Sequence, residues 1–317
     1  MNSLSSKSKK TVTQIVITLV ILIILAFLPF YSEDYTVVLT SSILLYVILT
    51  VSWVMFSGPT GYISLAPAAF IGIGIYTSAI LGDFLPFPIV VISAGLVSVI
   101  LAFLVGALTL RLKGVYFTVF TFGLVELIRN LVMFLEQHIT GTRGRFVVSQ
   151  EFEAVYFYML LIFALLLLTI FLLRRSKYGL ALASIGQNEE AASHIGINVT
   201  AVKIIVFVIS SFFMGAAGSV MATRWTYIDP GIAFNVFFSF MPVLMAVFGG
   251  MGQLYGPIIG SAIFSYMEEF LLTKFPELYM LIFGLILVVS IMYLPDGLVG
   301  LIQKWRRGVL GGNHANT

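Results

Sequence analysis

The sequence predicts an all-α protein, a polytopic bundle of transmembrane helices, and three observations carry that prediction. Of 317 residues, 60% are hydrophobic and only 10% charged, with a mean hydropathy of +1.07, which lies outside the range of soluble domains. Apolar runs recur at the length a helix needs to cross a bilayer, about 20 residues for roughly 30 Å of hydrocarbon. Polar residues instead gather in one island, 174–203, reading RRSKYGLALASIGQNEEAASHIGINVTAVK.

About ten spans fit this pattern. They fall near 14–30, 36–56, 60–81, 87–110, 114–135, 154–173, 200–222, 234–250, 255–272 and 278–295. The eighth and ninth are short and rich in Gly and Pro, as interrupted or re-entrant helices are, and would then lower the count to nine or eight. Basic residues near span ends favour the cytoplasm. With both termini cytoplasmic, ten spans put Lys7, Lys9, Lys10, Arg111, Lys113, Arg174, Arg175, Lys177, Lys203, Lys304, Arg306 and Arg307 inside. Arg143, Arg145, Arg224 and Lys274 fall outside, among Glu33, Asp34, Asp83, Glu136, Glu151, Glu153, Asp229 and Glu277. The net charge of +3 is therefore a topological signal and does not indicate nucleic acid.

The first apolar segment follows a basic amino terminus, but Leu28-Pro29-Phe30-Tyr31 offers no small-x-small cleavage site, so it reads as a retained span. Cysteine is absent, which excludes disulfides and thiolate sites. His138, His194 and His314 are too scattered to hold a metal by spacing. The polar stretches are too short for a separate soluble fold, so residues 1–317 read as one transmembrane domain. No GxxxxGK[ST] loop is present to cradle nucleotide phosphates, so energy must come from an ion gradient or a partner ATPase.

Within the island, Leu182, Ile185, Ala192 and Ile195 recur at helical spacings, while Gln187, Asn188, Glu189 and Glu190 give polar surface to the same expected helix. Gly179 is placed to break the chain out of the sixth span and Gly196 to stop the island helix. Such a helix either docks on a partner or lies on the lipid headgroups.

Glycine-rich blocks interrupt both halves of the chain. Gly58, Gly61, Gly72 and Gly74 allow close helix approach or an unwound turn, and Pro67 is expected to remove a donor in mid-span. A broken helix near the midplane points to a translocation path. Gly249, Gly250, Gly252, Gly256, Pro257 and Gly260 repeat this character, as an inverted repeat or as ordinary small-residue packing. Tyr62 and Ser64 are the polar groups nearest such a path, unless they only bond across helices. Glu126 and Arg129, at i,i+3, are expected to form an ion pair buried in the bundle, with a gate as the alternative.

The island from Tyr178 onward resembles permease subunits of branched-chain amino acid ABC importers of the LivM type, whose pattern runs G-R-A-x-x-A-I-R-E-N-E-x-A-A-x-x-L-G-I-N. Gly179, Ala181, Ile185, Asn188, Glu189, Ala191, Ala192, Gly196, Ile197 and Asn198 match it in place. Leu180 and Gly186 stand where the pattern has Arg. GPTGYISLAPAAFIGIGIYTSAIL at 58–81, RLKGVYFTVFTFGLVELIRN at 111–130, GGMGQLYGPIIGSAI at 249–263 and LPDGLVGL at 294–301 are similar to further family blocks, in order. The family commonly has Gln at Tyr62, Gly-Gln or Gly-His at Ala66-Pro67, and T-G-G where Thr140-Gly141-Thr142-Arg143 stands.

The resemblance implies a transmembrane permease that itself holds no cofactor. It implies partnership with a second related permease, an extracytoplasmic binding protein and two ATPase subunits that bind ATP and Mg. It makes 174–203 the coupling segment, with Gly179, Gln187, Asn188, Glu189, Glu190, Ala191, Ala192 and Gly196 meeting the ATPase. The implied location is a bacterial or archaeal plasma membrane, and the leading substrates are Leu, Ile and Val. Related permeases carry urea, short amides or other amino acids. A gradient-driven secondary transporter explains the broken helices but not the island. A membrane scaffold leaves the glycine interruptions unexplained, and no nucleophile-base pair supports an enzyme.

Overall fold

The computed structural model describes residues 16–301 apart from 113, 140, 253, 279–280, 283, 287, 289–291 and 293–296. The basic termini, His314, Thr140, and parts of the tenth expected span and of the 294–301 block lie outside these residues. Among the described residues the chain is a multi-pass helical bundle: α1 (Val16–Phe30), α2 (Asp34–Thr60), α3 (Pro67–Leu81), α4 (Phe87–Thr109), α5 (Val115–Ile139), α6 (Phe152–Arg175), α7 (Lys177–Gln187), α8 (Glu189–His194), α9 (Val199–Ala222), α10 (Pro230–Ala233), α11 (Phe237–Gly249) and α12 (Tyr255–Lys274). Two short strands, β1 (Arg145–Phe146) and β2 (Tyr227–Ile228), pair antiparallel between α5 and α6 and before α10.

Among the described residues six helical stretches are long and apolar enough to cross a membrane: α2, α4, α5, α6, α9 and Pro230–Gly249, which holds α10 and α11, while α1 and α3 are shorter. The helix α12 matches these in length but carries Glu268, Glu269 and Lys274. The expected segments from 14–30 to 255–272 each coincide with helix, with two internal changes. The helix of the third begins at Pro67, seven residues after 60, because Thr60 ends α2 and 61–66 is not helical, and that of the eighth begins at Phe237, after a non-helical 234–236.

The second helix is apolar on every face, so it has no side to offer water and sits at the centre, with Ile48, Leu49 and Val51 fully buried. It packs against α6, α9, α11 and α12. The tightest packing joins α3, α4 and α9. A Cβ on Gly74 would strike the Gly215 carbonyl, one on Gly218 the Ile71 carbonyl, and one on Gly215 the Ser98 side chain. Hydrogen bonds from Ser98 to the Phe70 carbonyl (3.2 Å) and from Ser211 to the Ser98 carbonyl (3.2 Å) cross the same contacts. Lipid is as apolar as Leu, so close backbone approach and interhelical hydrogen bonds are what hold such helices together.

The second glycine block does the same for α11 and α12. A Cβ on Gly249 would collide with the Gly256 carbonyl and one on Gly260 with Gly249, while Gly250 turns the chain at φ +94°. Gly252 meets nothing within 4 Å.

Candidate functional site

The third span breaks where α2 ends. Gly61 takes φ +71°, a left-handed conformation that side chains other than glycine's resist, and the chain stays non-helical through Ala66. Pro67 then occupies the first turn of α3, where its missing N–H costs nothing. The expected loss of a donor in mid-span is thus corrected: the proline starts a helix, and the interruption precedes it.

A backbone without helix must find partners elsewhere when water is excluded. Here four side chains supply them. The Thr118 hydroxyl donates to the Ile63 carbonyl at 2.8 Å, and the Trp53 indole N–H donates to the Ser64 carbonyl at 2.7 Å. The Leu65 N–H donates to the Thr121 hydroxyl at 3.0 Å. Ser239 of α11 both donates to the Leu65 carbonyl at 2.8 Å and accepts from the Ala68 N–H at 3.1 Å. The segment therefore hangs from side chains of α2, α5 and α11. Tyr62 and Ser64 are both buried, and a cavity of about water size beside Ser64 and Pro67, lined also by Trp53, Phe70, Phe207 and Met214, is too small for an amino acid. Gly58 lies one turn earlier, against Val54.

The island abuts this break, and it is two helices rather than the single expected one. The chain leaves α6 at Ser176, whose hydroxyl caps α7 by accepting from the Gly179 N–H. Gly179 is therefore inside the first turn of α7, where a Cβ would strike the Leu173 carbonyl, and does not itself break the chain. Leu182 and Ile185 are buried, and a Cβ on Gly186 would strike the Pro59 carbonyl of α2. The two helices part at Asn188, which is extended (φ −159°, ψ 113°) and caps α8 by accepting from the Ala191 N–H at 3.0 Å. Ala192 is buried, but Ile195, expected on the apolar face, is exposed. Gly196 at φ +87° ends α8, with its N–H on the Ser193 carbonyl and the Ile197 N–H on the Ala192 carbonyl.

Gln187, Asn188, Glu190 and Ala191 are exposed, whereas Glu189 turns inward. Adjacent residues on a helix differ by about 100° in direction, so one glutamate faces out and its neighbour faces in. One Glu189 oxygen lies 2.7 Å from the Lys203 ammonium, and the other accepts from the Tyr62 hydroxyl at 3.1 Å. The same ammonium sits 3.8 Å from the centre of the Tyr62 ring, a cation–π contact. Lys203, the fifth residue of α9, is fully buried. The sequence reading missed it by counting it as a cytoplasmic basic residue near a span end. The available signal was a lone lysine inside an apolar run.

A second cluster was also missed. Glu136 lies within α5, not in a loop, and is buried. It accepts from the Tyr76 hydroxyl and from Arg145 Nε, each at 3.1 Å, tying α3, α5 and β1 together. The Tyr76 ring stacks on Phe234 at 5.7 Å.

Glu126 and Arg129 do pair, at 2.9 Å, but each side chain is about a third exposed (34% and 37%), so the expected burial within this chain is corrected. The reason lies in α5, which buries one stripe, Phe117, Thr121, Val125, Ile128 and Glu136, and leaves the rest open. One open flank is apolar, with Tyr116, Phe120, Leu127, Leu131 and Phe134, while the other carries Phe122, Glu126, Arg129 and Asn130. Among the described residues, no three His, Cys, Asp or Glu side chains converge as metal ligands would.

A helical membrane bundle with a side-chain-suspended break, abutted by a polar two-helix island, has the build of a membrane transport subunit. The chain belongs to the branched-chain amino acid transport system / permease component family, whose model matches residues 35–291. It is 27% identical to the high-affinity branched-chain amino acid transport system permease protein LivM of Salmonella typhimurium, over 96% of this chain and 80% of that protein, and equally to LivM of Escherichia coli. It is 28% identical to the permease protein LivH of Salmonella typhimurium over 53% of this chain and 54% of that one. No solved structure gives a significant match.

Proposed function

We propose that this chain is the permease subunit of an ATP-driven importer for branched-chain amino acids, with Leu, Ile and Val as substrates. The reading rests on similarity to LivM over nearly the whole chain. In it, the chain performs no chemistry of its own, and ATP and Mg are bound by two partner ATPase subunits. About ten spans place both termini and the 174–203 coupling segment on the cytoplasmic side of a bacterial or archaeal plasma membrane. The exposed Gln187, Asn188, Glu190 and Ala191 meet the ATPase, while Gly179, Glu189, Ala192 and Gly196 shape the helices that present them. Gly58, Gly61, Tyr62, Ser64 and Pro67, with Gly249, Gly250 and Gly252, line or hinge the path.

The charged flank of α5 supports a second permease subunit. An ionised side chain facing lipid at mid-span costs roughly 2.5–3.5 kcal/mol, so the half-exposed Glu126–Arg129 pair needs protein or an aqueous path beside it. An extracytoplasmic binding protein would deliver substrate and set selectivity.

Affinity purification of the tagged chain in mild detergent, with mass spectrometry of what accompanies it, tests the assignment. Two P-loop ATPases and a second permease are expected. Recovery of the chain alone, active in proteoliposomes under an ion gradient, would replace the reading with a secondary transporter.

A further inference from the structure

We infer that Tyr62, Glu189 and Lys203 form a strut that carries movement of the island into the break of the third span; this rests on the importer reading above. The helix α8 is bounded by a non-helical residue on each side, extended Asn188 and left-handed Gly196, so it can tilt as a unit while α7 stays anchored by Leu182 and Ile185. Besides Ala192, Glu189 ties α8 to the bundle, and its two oxygens reach two different elements, Lys203 on α9 and Tyr62 at the break.

The link is stiff because Lys203 is fully buried. Withdrawing the carboxylate would take from a buried ammonium the charge that lies 2.7 Å from it, so movement of α8 draws Lys203 and Tyr62 along. Tyr62 immediately follows the left-handed Gly61, and its ring packs edge-on against Phe117 of α5 at 5.5 Å and beneath the ammonium. It belongs to the 61–66 segment, whose Ile63, Ser64 and Leu65 are held by side-chain hydrogen bonds instead of a helix ladder. A pull on Tyr62 therefore reaches the most deformable part of the third span. The neighbouring exposed Glu190 leaves the outer face of α8 free to take the push.

The test uses the complete complex in proteoliposomes, with uptake and ATP hydrolysis measured on the same preparation. Tyr62→Phe keeps the ring over Lys203 and removes the hydroxyl link. The paired variant Glu189→Gln with Lys203→Met removes the charges without stranding either, and guards against a folding defect in any single change. Both are expected to retain the ATPases while the molecules imported per ATP fall about tenfold, the shift that losing one charge-assisted hydrogen bond produces. A purely structural cluster would alter yield and leave that ratio unchanged, which overturns the strut. Should the wild-type chain recruit no ATPase, the importer reading itself falls and the strut with it.

Discussion

The two ends of the interrupted third span are each held by a glutamate, a tyrosine and a cation, but with opposite layouts. At the island end the cation is sealed away, Lys203 being 1% exposed, and its partner Glu189 is 31% exposed. At the end beside β1 the anion is sealed, Glu136 being 4% exposed, and Arg145 is 31% exposed. Tyr62 and Tyr76 donate to the carboxylate in the respective cases. The half-exposed member of each pair can be hydrated if its partner is lost, whereas the buried member cannot. The residue nearer the surface is thus the one whose removal does the greater harm.

Glu189→Ala gives the largest expected effect. It removes the carboxylate paired with the buried Lys203 ammonium, at a cost of about 3–5 kcal/mol, and should lower the detergent melting temperature far more than Lys203→Met does. Equal losses for the two variants would show that burial does not order the pair.

Arg145→Ala should come next, at about 2–3 kcal/mol, because the Tyr76 hydroxyl still donates to the stranded Glu136. Intrinsic fluorescence of buried Trp53 can follow the same melts. If Glu136→Gln proves worse than Arg145→Ala, the inverse layout of the two ends is refuted.

Ser239→Ala tests the break between the ends. It leaves the Leu65 carbonyl and the Ala68 N–H without the partner they share, for about 2 kcal/mol and faster proteolysis near 61–68. An unchanged melt would mean that the segment finds its hydrogen bonds elsewhere.

The smallest change sharpens the comparison most. Tyr62→Phe and Tyr76→Phe each remove one hydroxyl donated to a carboxylate and should each cost about 1.5 kcal/mol. Only the Tyr62 variant is expected to change uptake per ATP. A matching change from Tyr76→Phe would make the two ends functionally alike.

Much of the bundle was legible because span length is set by bilayer thickness, which leaves its mark as apolar runs of a required size. The break was legible in kind, since Gly61 and Pro67 are residues a continuous helix avoids, but its place was not. Pro67 reads the same in mid-helix and in a first turn, and only the hydrogen bonds that 61–66 shares with Thr118, Thr121 and Ser239 show which applies. The island's split carried a local signal that a search for apolar periodicity overlooks. Asn188 followed by Glu189 and Glu190 is a helix start, with a capping side chain and acidic residues in the first turn.

By itself, then, the sequence determined a multi-pass helical membrane protein, the positions of its helices to within a few residues, the location of its polar island and its family. The first three follow from composition, periodicity and short-range residue preferences, which act along the chain, and the family follows from the resemblance of its ordered motif blocks. Tertiary structure alone decided that Glu189 points inward while Glu190 points out, that Lys203 and Glu136 are buried charges, and that Glu126 and Arg129 lie on an open flank of α5. Tyr62 and Glu189 are 127 residues apart, and Tyr76 and Glu136 are 60 apart. Pairings at such range depend on which helices pack together, and neither member carries a local mark of its partner.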